Sequence, residues 1–253
     1  MIRTLVIGAL AGAALTAGVT TAIGASENSG TTVQEYEQRY TLVKRKKSTG
    51  TAIAISSRDQ QNPQPKRIKN FDLTFPAGTE IDSKAAAQCK ATDTDFASED
   101  HPNDACPRGS RLGGGRAAVR SRFPGQGDFL GTVYAYNANK GMIFFVDFST
   151  ADTSWVLRPK WRGVRLVTTV PRTCIPPAIP QNDCQTSFGK QEMVLVQLSV
   201  DIGAKSRGRG DNRRILLRTP KTCPSGGWTF KSDFRYADGT SLNIPEKSRC
   251  SRD

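Results

Sequence analysis

One run in this chain has the spacing of a dinucleotide-binding turn: Gly113-Gly114-Gly115-Arg116-Ala117-Ala118, which reads as G-x-G-x-x-A. Such a turn works only between a strand and a helix, where glycine amides approach a pyrophosphate. Here Cys106-Pro107 precedes the glycines, and Ala117, Val119 and Phe123 alternate with Arg116, Ala118, Arg120 and Arg122. That is strand periodicity, and no Gly-Lys-Ser/Thr follows. The pattern predicts structural glycines, at a bulge or a close backbone approach where a disulfide loop enters a sheet.

The other reactive side chains give no catalytic set. His101 is the only histidine, among Glu99, Asp100 and Asp104. A Ser–His–Asp hydrolase needs a held imidazole and a nucleophile within reach, and no nucleophile elbow is present. Asp93, Asp95, Glu99, Asp100 and Asp104 offer oxygens to calcium, but not in EF-hand order. Paired acids could hydrolyse glycosides only by facing one cleft. One histidine and no C-x-x-C argue against zinc. The expectation is a protein that is not an enzyme, with no metal and no cofactor.

Binding chemistry has more to work with. The formal net charge is +13 and unevenly spread. Residues 92–104 hold five acids and no Lys or Arg, whereas residues 205–221 hold seven bases and only Asp211. Trp155 and Trp161 flank Arg158, Pro159 and Lys160. The triplet Lys160, Trp161, Arg162 and the loop carrying Arg207, Arg209, Arg213 and Arg214 are the candidate contacts for an anionic wall or extracellular polymer. The plainer reading of the Arg-rich loop is a hairpin tip whose repulsion blocks edge pairing. Its Arg209-Gly210-Asp211 tripeptide is explained by composition. No motif for specific nucleic-acid recognition occurs. The alternative function is a carbohydrate-binding or carbohydrate-active domain using Trp161 and the acidic 93–104 loop.

These residues need a frame. Arg3 followed by the uncharged residues 4–25 reads as a signal peptide, cleaved near Ala25. It is too rich in Ala, Gly and Thr for a strong membrane span, so the mature chain is expected to be secreted and not integral to the membrane. Residues 26–38 are polar and read as a flexible lead-in. Residues 39–253 read as a single β-sandwich domain, long enough for a substantial core. Six cysteines, at 89, 106, 174, 184, 223 and 250, imply disulfides in an exported chain. Fifteen pairings are possible; nearest neighbours are favoured, Cys89 with Cys106, Cys174 with Cys184 and Cys223 with Cys250.

Period-two alternation dominates the rest. In residues 228–236, Trp228, Phe230, Phe234 and Tyr236 share one face, and Thr229, Lys231, Asp233 and Arg235 the other. Asp238-Gly239 then predicts a type I′ turn into residues 241–244. Further strands are expected at 40–47, 51–57, 66–75, 129–137, 142–148, 163–170, 192–202 and 213–219. The 142–148 strand is apolar on both faces and so central. One short helix is expected at 81–89. This inventory predicts an all-β, antiparallel, two-sheet sandwich with long disulfide-closed loops.

Three stretches, FPAGTEIDSKAAAQCK, ACPRGSRLGGGRA and TPKTCPSGGWTFKSDFRYADGTS leading to Cys250, occur here in that order. With them the chain resembles a group of exported, disulfide-containing β-rich proteins of high-GC Gram-positive bacteria, over roughly residues 40–250 judged by these motifs. That group carries no established activity, so the resemblance implies export and fold rather than a mechanism.

Overall fold

In the computed structural model, residues 25–29, 32–59, 65–99, 101–121, 127–148, 153–175 and 191–251 are described. Among the described residues, eighteen strands follow one another: β1 (Ala25–Ser29), β2 (Thr32–Tyr40), β3 (Thr51–Asp59), β4 (Ile68–Thr74), β5 (Glu80–Ile81), β6 (Arg111–Ser121), β7 (Asp128–Ala138), β8 (Gly141–Phe148) and β9 (Thr153–Leu157). Then come β10 (Lys160–Arg162), β11 (Arg165–Thr169), β12 (Thr173–Ile175), β13 (Gln191–Ile202), β14 (Ser206–Arg207), β15 (Arg214–Ile215), β16 (Leu217–Arg218), β17 (Trp228–Tyr236) and β18 (Ser241–Ser248). An α-helix, α1 (Asp93–Ser98), lies between β5 and β6.

The all-β, antiparallel expectation holds, but a division into two sheets is not confirmed. Fourteen strands form one hydrogen-bonded sheet in the order β1-β2-β3-β13-β6-β7-β8-β10-β11-β4-β17-β18, with β12 beside β13 and β9 beside β8. The sheet curls until its ends meet, β17 and β18 lying against β1 and β2. Across that seam Tyr40 meets Trp228 and Phe230 at centroid distances of 5.1 and 4.9 Å. Sheets twist, and a strongly coiled sheet protects its edges by closing on itself. The glycines of β6 allow the coiling. A Cβ on Gly113 or Gly115 would stand 1.8 or 1.9 Å from a β13 carbonyl oxygen, and the register slips between Arg111 and Gly113. Close approach and a bulge are therefore what the glycine run provides.

The 26–38 lead-in is a correction. Residues 25–29 and 32–40 are paired strands, and β2 supplies buried Val33, Tyr36 and Tyr40. Its polar composition hid this, because Gln34 and Gln38 also point inward and are fully buried. Gln34 donates to the Ser56 carbonyl at 2.8 Å and accepts from the Tyr236 hydroxyl at 3.3 Å, and Gln38 accepts from the Tyr36 hydroxyl. A satisfied amide can sit in a core, and Tyr236 to Gln34 stitches the barrel seam.

Three smaller expectations also change. The 81–89 helix is only one 3-10 turn, Ser83–Ala85. Buried Asn137 donates its amide to the carbonyls of Ser83, Ala86 and Ala87, which a helix would have needed. The α-helix forms instead in the acidic stretch, where Thr92 and Asp95 make a reciprocal capping box and Asp93 and Asp95 face the helix dipole. The 40–47 strand ends at Tyr40, because the following backbone bonds to residues 219, 220 and 251 rather than to a ladder. The Asp238-Gly239 turn has positive φ only at Gly239, so it is not type I′.

The anticipated β17 face is as expected: Trp228, Phe230, Phe234 and Tyr236 are buried, and Lys231 and Arg235 exposed. β8 is central, with Met142, Phe144, Val146 and Phe148 in the barrel core and Ile143 and Phe145 under the Cys89–Cys106 loop. The disulfides Cys89–Cys106 and Cys223–Cys250 are present. The Cys174–Cys184 pairing lies outside the described residues.

Candidate functional site

The acidic loop is a structural cover. Phe96 of α1 stacks on Phe145 at 4.9 Å and packs against Tyr136, on the outer face of β7 and β8. Two of its acids, Asp93 and Asp95, are engaged within the fold. Asp93 receives Arg158 at 2.5 Å, and Arg158 also donates to the Ala91 carbonyl at 2.9 Å. Asp95 accepts from the Thr92 amide at 2.7 Å and from its hydroxyl at 2.9 Å, which holds its carboxyl below the usual aspartate range. His101 accepts from the Asn103 amide at 3.1 Å and meets the Tyr134 ring edge-on. Among the described residues no three His, Cys, Asp or Glu side chains are grouped to hold a metal ion; Asp100 lies outside them.

Trp161 does not join this loop. It pairs across β10 and β11 with buried Leu166, points inward and packs edge-on against Phe75 at 5.5 Å. The acidic helix lies outside the sheet, so the aromatic and acidic halves of a carbohydrate cleft occupy opposite faces. Lys160 and Arg162, its neighbours, are exposed and point outward.

The Arg-rich loop is divided. Arg214 makes a two-point contact with Asp82, at 2.6 and 2.7 Å, and this guanidinium holds the Asp82 carboxyl below its ordinary range. Arg213 donates to the Ser206 hydroxyl at 3.2 Å. Arg207 and Arg209 are exposed at the tip, where Gly210 takes a positive φ. The predicted basic residues therefore do not form one compact site.

What converges is a different set, at the end of the barrel where β2 stops. Residues 41–50 form an anchored loop there. The Ser251 amide donates to the Val43 carbonyl at 2.9 Å, the Lys46 amide to the Pro220 carbonyl at 3.3 Å, and the Thr219 hydroxyl to the Lys44 carbonyl at 2.6 Å. These bonds bring the run Lys44-Arg45-Lys46-Lys47 beside Lys221 and Arg249. The Cys223–Cys250 bridge and the Trp228 indole, which donates to the Thr222 carbonyl at 2.8 Å, fix the neighbouring loop.

Between this loop and β4 opens a cleft of about 570 Å³. Phe75, Pro76, Val164 and Trp228 give it an apolar floor, and Lys231 and Lys247 stand in its wall; no acid is among the described residues that line it. Lys247 also borders a second hollow, with Val43 and Arg249, where Glu37 and Glu246 supply acids. Among the described residues neither Lys231 nor Lys247 has an ion-pair or hydrogen-bond partner for its ammonium. Paired cations next to apolar surface, with nothing to neutralise them, can hold an organic anion or a run of phosphates or carboxylates.

Sequence reasoning missed this end of the molecule. The Lys44–Lys47 run was a visible charge cluster but was absorbed into an expected strand. Lys231 showed as an outward residue, yet nothing in sequence brought Lys247 to the same cleft. Comparison with family models, with curated proteins and with solved structures gave no match to this chain.

Proposed function

We propose that this chain is an exported, non-catalytic binding protein that holds an anionic polymer of the cell envelope or extracellular space at the basic end of its barrel. The reading carries over the resemblance to exported, disulfide-containing β-rich proteins, and the two disulfides are consistent with an oxidising compartment. The observation that carries it is the cleft of about 570 Å³ in which, among the described residues, Lys231 and Lys247 face no acid. Elsewhere acids are met by arginines: Asp72 by Arg165 and Arg235, Glu192 by Arg67 and Arg172. Cations without such partners gain most from an external anion. The Arg207–Arg209 tip and Lys160 with Arg162 remain auxiliary contacts in this reading.

The test is binding to soluble inorganic polyphosphate across a salt series. Affinity should fall steeply with salt, as expected when several counterions are released. The double variant Lys231→Glu, Lys247→Glu should lose at least tenfold in affinity, each exchange replacing attraction by repulsion, while exposed substitutions keep stability within about 0.5 kcal/mol. Unchanged affinity in that variant would refute the assignment of the cleft.

A further inference from the structure

Among the described residues three large apolar side chains are exposed, Leu42, Val43 and Leu130. Two of them are consecutive and stand immediately before Lys44-Arg45-Lys46-Lys47. Their exposure, 38% and 40%, does not come from a loose loop. The Leu42 amide donates to the Thr49 hydroxyl at 3.1 Å, the Thr41 amide to the Gly50 carbonyl at 3.1 Å, and the Val43 carbonyl accepts from Ser251 at 2.9 Å. The backbone polar groups face the barrel, so the side chains of residues 42 and 43 are held outward. Lys46 closes the turn at φ 49°.

A soluble polyanion has no use for an exposed Leu-Val pair. An anionic lipid surface does: apolar side chains enter the headgroup boundary while flanking cations meet the lipid charges, and two such signals together give stable association.

We propose that the 41–47 loop is a membrane-docking element, with Leu42 and Val43 entering an anionic bilayer surface and Lys44–Lys47, Lys221 and Arg249 contacting its phosphates. This deepens, and rests on, the anion-binding reading of the same barrel end by naming its partner as lipid rather than polymer.

The test compares two probes with the protein as exported: phosphatidylcholine vesicles with and without phosphatidylglycerol, in co-sedimentation, and soluble polyphosphate. Binding should require phosphatidylglycerol. Leu42→Ser with Val43→Ser should weaken vesicle partition about tenfold, since apolar area is lost, and leave polyphosphate affinity unchanged. Lys44→Glu with Lys46→Glu should weaken both; each cation near a charged surface is worth about fivefold. Vesicle binding that ignores the Ser pair overturns the docking element, as does polyphosphate binding without any vesicle binding; the anion-binding reading survives both. Binding to neither probe removes both. Thermal unfolding of the Ser pair, whose side chains are exposed, confirms that the barrel is intact.

Discussion

Two loop regions of this molecule are each closed by a short-range disulfide, and they treat charge in opposite ways. Between Cys89 and Cys106 two of the acids turn back into the fold: Asp93 binds Arg158, Asp95 caps its helix, and buried Phe96 holds the loop against β8. Around Cys223–Cys250 the lysines turn away from it, over an apolar cleft that no acid lines among the described residues. A charge with an internal partner serves the fold. A cluster of like charges without partners costs stability by self-repulsion and attracts external anions. The density of charge in the sequence does not separate these cases, since the acidic loop is as conspicuous as the basic runs.

The strongest way to break the comparison is to remove the ring that anchors the acidic loop. Phe96→Ala should cost about 3–5 kcal/mol in denaturant unfolding, as expected for a buried aromatic, and leave polyphosphate binding unchanged. A loss below about 1 kcal/mol would mean that the loop is not held by this contact. The two bridges sharpen the contrast. Replacing both cysteines of either one by serine should lower stability by about 3 kcal/mol from loop-closure entropy, the separations being 17 and 27 residues. Only loss of Cys223–Cys250 should also weaken polyphosphate binding, because its loop forms one side of the cleft. Equal effects on binding from the two bridges would erase the distinction.

The smallest expected effect concerns Asp238, another acid with internal partners. The Lys66 ammonium at 2.8 Å and the Thr240 hydroxyl and amide lower its carboxyl from 3.8 to about 2. A depressed folded value stabilises above the unfolded pKa and is lost as pH falls, here between about pH 4 and pH 2. Asp238→Asn should flatten the stability–pH profile in that window by less than about 1 kcal/mol, because the pair is solvent-exposed and screened. An unaltered profile would remove the pair from the set of stabilising contacts.

Strand by strand, legibility followed how far each side chain reveals its own surroundings. β17 was readable because Trp228, Phe230, Phe234 and Tyr236 are apolar and every second residue. β8 was readable because nothing in residues 142–148 except Asp147 prefers water. β2 was not, because Gln34 becomes an interior residue only once Ser56, Ser57 and Tyr236 supply its hydrogen bonds, and Gln38 only once Tyr36 and Thr51 supply its own. The helix was misplaced because Asn137, distant in sequence, takes the carbonyls of residues 83–87. The candidate residues suffered likewise. Trp161 offers no local sign of whether it faces Phe75 or solvent, and Arg214 gives no hint of Asp82, 132 residues away.

By itself the sequence determined that this chain is β-rich and antiparallel, that Cys89 and Cys223 have bridge partners nearby in sequence, and that the glycines of residues 113–115 are structural. Each of these rests on local periodicity, loop length or the absence of a Cβ. Tertiary structure alone decided that the strands curl into one nearly closed sheet, that Asp93 and Asp95 of the acidic loop are engaged within the fold, and that Lys231 and Lys247 share a cleft beside the anchored Lys44–Lys47 loop. Those outcomes depend on which distant groups satisfy which charges and hydrogen bonds, and residues far apart in the chain meet only when the sheet closes.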